Sequence, residues 1–351
     1  MEIFTSYHNV LSPLGFTTKE NYTAILSNTL GVKQCHYGKL NELFCLSIIP
    51  DKEIISASEK INSPSSFTKL EKLSILSIQD VLNQSGISLS DKKTLLIYST
   101  TKGNIELLDF SIKQTIPKER AYLSAMANTV AAYFNAANKP IIVSNACISG
   151  VLAIITAQRI IKGGQYDNVI VCGGDLVTEF VVSGFKSFNA LSQNPCKPFD
   201  AKRDGINLGE AVATLLITNN KNNLHPSSMR IVNGASANDA NHISGPSRTG
   251  EGLFQAITQT LRNNSVNIDT INAHGTATSF NDEMESIAFE RAGLTNSPAN
   301  SLKGYYGHTL GAAGVLETIL TLEAAGNNQL IKSAGFTEHG VSGKIEIIKE
   351  H

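Results

Sequence analysis

The 351-residue chain is predicted to be an α/β protein with helices layered on a mainly parallel sheet. Two observations predict this. Short β-branched runs alternate with helix-length amphipathic segments, and the order of the first half recurs loosely in the second. KTLLIYS reads as strand, AYLSAMANTVAAYFNAAN as helix, PIIVSNA as strand, ISGVLAIITAQRIIKGG as helix and NVIVCGG as strand. The polar, proline-containing stretch NNKNNLHPSS, residues 219–228, reads as a link, which predicts an N-terminal half over 1–220 and a C-terminal half over 228–351. On either side of it, MEIFTSYHNVLSPLGFTTKENYTAILSN and MRIVNGASANDANHISGPSRTGEGLFQAITQTL each read as strand, loop and helix. PIIVSNACISGVLAIITAQRIIKGG likewise parallels ANSLKGYYGHTLGAAGVLETILTLEAAG, as expected of two pseudo-equivalent halves whose turns meet.

Lys plus Arg total 29 against 30 for Asp plus Glu, so no strong field invites nucleic acid or an anionic membrane. The apolar runs fall short of a spanning helix and MEIFTSYHNV lacks the pattern of a signal peptide, so a cytoplasmic location is expected. The five cysteines, at 35, 45, 147, 172 and 196, show neither a disulfide framework nor zinc-ligand spacing.

Three turns carry the chemistry. In SNACISG, Cys147 stands where a β-branched run gives way to a long apolar helix beginning near Ile148. Unpaired backbone N–H groups and the positive end of the helix dipole favour a thiolate there, and the small neighbours Ala146, Ser149 and Gly150 leave room for a substrate. Alone, such a cysteine reads as a packing residue. In INAHGTAT, a strand feeds a turn carrying His274, with Gly275, Thr276 and Thr278 leaving the ring accessible and offering hydroxyls. In LKGYYGHTLGAAG, Lys303 and His308 straddle a glycine-bounded turn opening a helix. No G-K-[ST] follows, so GAAG reads as a close helix–helix contact rather than a nucleotide loop. His308 is expected to stay neutral at this helix start. One thiolate and two neutral imidazoles suit acyl transfer followed by enolate chemistry.

These motifs, in this order, resemble those of the β-ketoacyl-acyl carrier protein synthases. The resemblance starts at VLSPLGFTTKENYTAILSNTLGV, passes through SNACISG, GGDLVTEFVVSGFKSFNALS and KPFDAKRDGINLGEAVATLLI, and ends with NAHGTATSFNDEMES and LKGYYGHTLGAAGVLE. It implies a thiolase-like five-layered αβαβα fold of two similar halves. Cys147 would be the acylated nucleophile and its N–H one oxyanion donor, His274 and His308 would assist decarboxylation and condensation, and Lys303 with Glu317 would hold the histidine network. Thr276 and Thr278 would contact the pantetheine arm. Asp200, Arg203, Asp204 and Glu210 of PFDAKRDGINLGE read as structural.

The reaction implied is decarboxylative condensation of malonyl-acyl carrier protein with an acyl group on Cys147, in fatty acid, polyene or polyketide-type biosynthesis. The expected partners are an acyl carrier protein, which brings its own phosphopantetheine, and a second copy or a related ketosynthase; no cofactor, metal or nucleic acid is expected. Two departures stand out. Where the family has a glycine- and phenylalanine-rich stretch whose first phenylalanine gates the site and completes the oxyanion hole, this chain has Ser333–His339, with Ala334 at the gate. Only EAAGNNQLIK separates that stretch from the Glu317 helix, an abbreviated and divergent C-terminal segment. A non-catalytic, chain-length-determining partner and a cysteine hydrolase are the alternatives.

Overall fold

Leu95 and Ile97 face one core while Leu96 and Tyr98 face another, and Val169 and Val171 alternate with Ile170 and Cys172 in the same way. Strands buried on both faces read as continuous apolar runs, and these did. The computed structural model describes residues 1–39, 41–109, 111, 115–222, 224–239, 247–262 and 267–351. In chain order they form β1 (Phe4–Leu11), α1 (Thr18–Leu26), β2 (Lys33–Tyr37), β3 (Glu42–Ser47), α2 (Asp51–Ser58), α3 (Lys69–Ser85), β4 (Thr94–Ser99), α4 (Leu123–Tyr133), β5 (Ile141–Val143), α5 (Ser149–Lys162), β6 (Asn168–Asp175) and α6 (Glu179–Ser187). The chain continues through β7 (Leu208–Gly209), β8 (Ala211–Thr218), α7 (Glu251–Leu261), β9 (Ile271–Asn272), α8 (Ser279–Arg291), β10 (Pro298–Asn300), α9 (Lys303–Tyr306), α10 (Ala313–Gly326) and β11 (Glu346–Ile347).

The main sheet has the order β1-β8-β6-β4-β5, with β8 antiparallel to both neighbours and β4 parallel to β5 and β6. Four strands therefore point one way and β8 is the reversed one. A second sheet, β11-β10-β9, is parallel throughout, and a third, β2-β3-β7, lies to one side.

The layers follow from the cores. α3 and α4 cover one face of the main sheet, and α5 and α10 cover the other. The layer of α5 and α10 also meets the small sheet through Leu302, Tyr305 and Ile331. Beyond that sheet, Leu253 and Ile257 of α7 and Phe289 of α8 close the fifth layer on Ala299 and Ile347. This is the αβαβα arrangement expected of a thiolase-like fold. Among the described residues no helix is long and apolar enough to cross a membrane.

The strand expected from Met229 onward does not form over 231–239. The segment touches β1 through the Phe4–Arg230 bridge and the Ile231 N–H to Ile3 carbonyl bond, and there Gln158 of α5 takes the Ile231 carbonyl at 3.0 Å. A side chain has occupied the acceptor that a longer ladder would use. Residues 240–246 of the same expected unit, and Asn223 of the link, lie outside the described residues.

Candidate active site

Cys147 sits on a braced turn. β5 ends at Val143, and Ala146 adopts φ +46°, a left-handed conformation strained for a side-chain-bearing residue. The Ser149 hydroxyl holds the turn, accepting from the Asn145 N–H at 2.8 Å and donating to the Ala146 carbonyl at 2.7 Å. α5 then leaves at Ser149, with Ile148 as its cap. It can cross α10 closely because the contact is glycine on glycine: a Cβ on Gly150 would stand 3.0 Å from the Gly314 Cα. The GAAG motif is thus the helix-packing element the sequence suggested.

His308 enters from the far side. Its N–H donates to the Asn207 carbonyl at 2.7 Å and its carbonyl accepts the Gly209 N–H at 3.0 Å, so β7 carries it. Gly209 has no substitute at this position, since a Cβ would collide with the Tyr306 carbonyl. The Leu310 N–H donates to His308 Nδ1 at 3.0 Å. With Nδ1 accepting, the neutral ring carries its proton on Nε2, which lies 2.8 Å from Cys147 Sγ. That N–H donates to sulfur, or to an oxygen that takes its place.

His274 stands edge-on to His308, with ring centroids 5.1 Å apart. Its loop hangs on two carboxylates of α8. Glu285 accepts the His274 and Gly275 N–H groups, each at 2.7 Å, and Asp282 accepts those of Thr276 and Ala277 at 2.9 and 3.1 Å while also holding the Phe199 N–H. Burial raises both carboxyls, Asp282 to about 6 and Glu285 to about 7, against the pull of those N–H donors. Thr276 and Thr278 bond each other at 2.9 Å, and Asn281 donates to Thr276. In the structure their hydroxyls brace the loop.

Behind the imidazoles lies Lys303, 0 % exposed, with Nζ 2.6 Å from Glu317 Oε1 on α10. Both histidines are held well below the usual imidazole range, first by burial and next by the Lys303 ammonium. Neutral His308 was expected from a helix dipole; the neutrality stands, and burial and the lysine supply it. The expected thiolate at Cys147 needs correction. Burial pushes the thiol up and outweighs the opposing Lys303 charge and backbone hydrogen bond. On this balance the folded site favours the thiol over the thiolate. The donor atoms of Cys147, His274 and His308 lie within 4.8 Å of one another, so this set would also accept a soft divalent ion.

The structure thus brings Cys147, His274 and His308 together with Lys303 and Glu317 behind them. Ala334 packs against Gly304 of α9, its carbonyl 2.6 Å from where a Gly304 Cβ would be. Its stretch is pinned by Asp200, which accepts the Thr337 and Glu338 N–H groups at 2.6 and 2.9 Å. Arg203 donates to the Gly340 carbonyl, Asp204 accepts from the Ser192 hydroxyl, and Glu210 accepts the Ile49 and Val177 N–H groups. All four therefore brace backbone and polar side chains.

Sequence reasoning missed Asp175 at the end of β6, which accepts from the Thr100 hydroxyl and the N–H groups of Thr101, Lys102 and Gly311, the last at 2.7 Å. Its only signal was a carboxylate closing an otherwise apolar strand. It also missed Glu285 and Asp282, whose signal was two acids one helical turn apart directly after the His274 loop.

Comparisons place this geometry in a family. The model of the β-ketoacyl synthase N-terminal domain matches residues 68–223, and that of the C-terminal domain matches 229–337. A putative mitochondrial 3-oxoacyl-acyl-carrier-protein synthase of Schizosaccharomyces pombe is 35% identical over 200 residues, covering 51% of this chain and 47% of the relative. The chain spans about half the length of the curated relatives it matches. Among solved structures, a β-ketoacyl synthase from Burkholderia phymatum superposes with a TM-score of 0.86 at 23% identity, covering 99% of this chain and 92% of that one. A ketosynthase in complex with its chain length factor from Xenorhabdus doucetiae gives 0.82 at 24% identity, with 99% and 92% covered. With both domain models matched in order, and the thiolase-like fold shared nearly end to end, the chain belongs to the β-ketoacyl synthase family.

Proposed function

We propose that this protein is a condensing acyltransferase that joins an acyl group held on Cys147 to the two-carbon unit left when a malonyl thioester loses carbon dioxide. The observation that carries this reading is His308 Nε2 at 2.8 Å from Cys147 Sγ, with Nδ1 occupied by the Leu310 N–H. Cys147 sulfur attacks the thioester carbonyl of the acyl donor and its proton leaves with the departing carrier thiol. The malonyl thioester then breaks its carboxylate C–C bond, and the electron pair becomes an enolate. Neutral His274 and His308 donate N–H groups to that enolate oxygen, and the buried Lys303 charge adds to the field. The enolate carbon attacks the acyl carbonyl, and the tetrahedral adduct collapses by expelling the Cys147 thiolate.

An acyl carrier protein is the proposed donor of both substrates, in keeping with the carrier named in the relative from Schizosaccharomyces pombe. Pairing with a second copy or a related ketosynthase is proposed at β5, an edge strand that exposes Ile141; Ile148 and Val151, soon after it in the chain, are exposed too. A cavity of about 1260 Å³ is proposed to take the acyl chain; Ile48, Ile105, Leu176, Val177 and Phe180 make its apolar wall.

The test is intact-protein mass spectrometry with acyl-loaded carrier, then malonyl-carrier, on wild type and Cys147→Ala. An adduct on wild type alone, discharged as a β-ketoacyl product by malonyl-carrier, is expected. Absence of any adduct across several acyl chains would point instead to a non-catalytic partner subunit.

A further inference from the structure

Away from the catalytic turn, three segments distant in sequence bring two imidazoles and a carboxylate together. His8 lies on β1, His225 in the link between the halves and Glu323 on α10, and their donor atoms lie within 4.8 Å of one another. A network of short polar contacts, which a bound ion would replace in part, joins them. Thr18 Oγ1 lies 3.2 Å from His8 Nδ1, and His8 Nε2 lies 3.3 Å from Glu323 Oε1, to which it is hydrogen-bonded. His225 Nδ1 is an acceptor, taking the Ser227 N–H at 3.2 Å. One hydroxyl, Ser227 Oγ, bridges the group: it is 3.0 Å from His8 Nε2 and 2.8 Å from His225 Nδ1, and it bonds Glu323 as well.

We propose that His8, His225 and Glu323 bind a divalent transition metal of the zinc class, with the Ser227 hydroxyl or water in the fourth position. Two imidazoles and one carboxylate select zinc, cobalt or nickel over calcium and magnesium, which prefer all-oxygen shells. Bonds of about 2.0–2.2 Å require the donors to draw inward by roughly an ångström, a movement the bridging hydroxyl permits by turning about its own χ1. The second shell is in place, since Thr18 already orients His8 through its far nitrogen. Access is in place too, because His225 is half-buried and the Glu323 side chain 17 % exposed. The ion would tie β1 and the inter-half link to α10, the helix that carries Glu317.

The full chain carrying Cys147→Ala, which removes the catalytic thiol as a competing ligand, is stripped with a chelator and titrated with Zn²⁺ and with Co²⁺. One equivalent bound per chain, an upward Tm shift that saturates at one equivalent, and the visible bands of four-coordinate Co²⁺ are expected. His225→Gln and Glu323→Gln, each at a partly exposed position, should abolish all three while leaving the metal-free Tm close to that of the parent; His8→Gln should do the same to binding. Retained binding in His225→Gln, or a parent Tm that moves with pH but not with metal, overturns the proposal. Acylation of Cys147 is read separately in wild type, so either idea can fail alone.

Discussion

The backbones of Gly150 and Gly314 touch, and a Cβ on Gly314 would collide with the Val151 nitrogen. Cys147 lies three residues before the first glycine and His308 six before the second, so a shift of this crossing is expected to move sulfur relative to imidazole, now 2.8 Å apart. Gly314→Ala should therefore cost about 1–3 kcal/mol by overpacking. Urea denaturation would measure it, and Cys147 acylation should slow by more than an order of magnitude. A variant with wild-type stability would mean the helices are free to part.

Replacing Lys303 removes the charge that lowers both histidines and the Cys147 thiol. Lys303→Met should leave Glu317 buried without a partner, at a cost of about 3–5 kcal/mol. Alkylation of Cys147 at neutral pH should fall in rate, because the thiol rises further. The double variant Lys303→Met with Glu317→Gln should recover stability but not alkylation rate, which separates the two effects.

The two histidines also predict an acid limit. Each has a folded pKa below the 6.5 of a free imidazole, so the folded state binds fewer protons than the unfolded one below that pH. Their contribution to stability is present above 6.5 and is lost as pH falls. Glu285, raised to about 7, works with the opposite sign between 7 and 4.5, so the informative quantity is a difference. Wild type should lose more stability between pH 7 and pH 5 than His274→Asn with His308→Asn; equal losses would place these rings in water.

Glu285→Gln keeps one acceptor oxygen for the two N–H groups of His274 and Gly275. One buried donor is then left unmet, a loss of roughly 1–3 kcal/mol in the loop. Malonyl decarboxylation should drop tenfold or more, while acyl loading of Cys147, on the other side of the site, stays within twofold. Equal effects on both steps would show that the loop supports the whole site.

If the proposed cavity holds the acyl chain, Ile105→Phe narrows it and should shorten the longest chain loaded, with short chains loaded at the wild-type rate. Mass spectrometry of a mixed acyl-carrier pool reads this directly.

The fold and the reacting groups were legible where the signal is local. Runs such as NVIVCGG announce strands buried on both faces, Cys147, His274 and His308 sit in turns marked by glycine and small residues, and Lys303 opens the short α9 beside one of them. The supporting carboxylates were not legible, because their partners are tertiary: Asp175 bonds Thr101 and Gly311, which are 74 and 136 residues away. The thiol's ionisation was misjudged for a related reason. A helix terminus can be read from sequence, whereas the burial that outweighs it cannot. The missing strand after Arg230 shows the same limit, since only the assembled core brings Gln158 to the Ile231 carbonyl.

The separation of Cys147 from His308 by 161 residues has a consequence for synthesis on the ribosome. The cysteine and the strands around it emerge well before either histidine exists, and α10, which covers the main sheet, follows both. Until then the nascent chain carries a thiol with neither its imidazole nor its ammonium beside it. The site therefore assembles only once α10 has docked, and a chain stalled between residues 220 and 270 presents to the cell a cysteine without its catalytic partners.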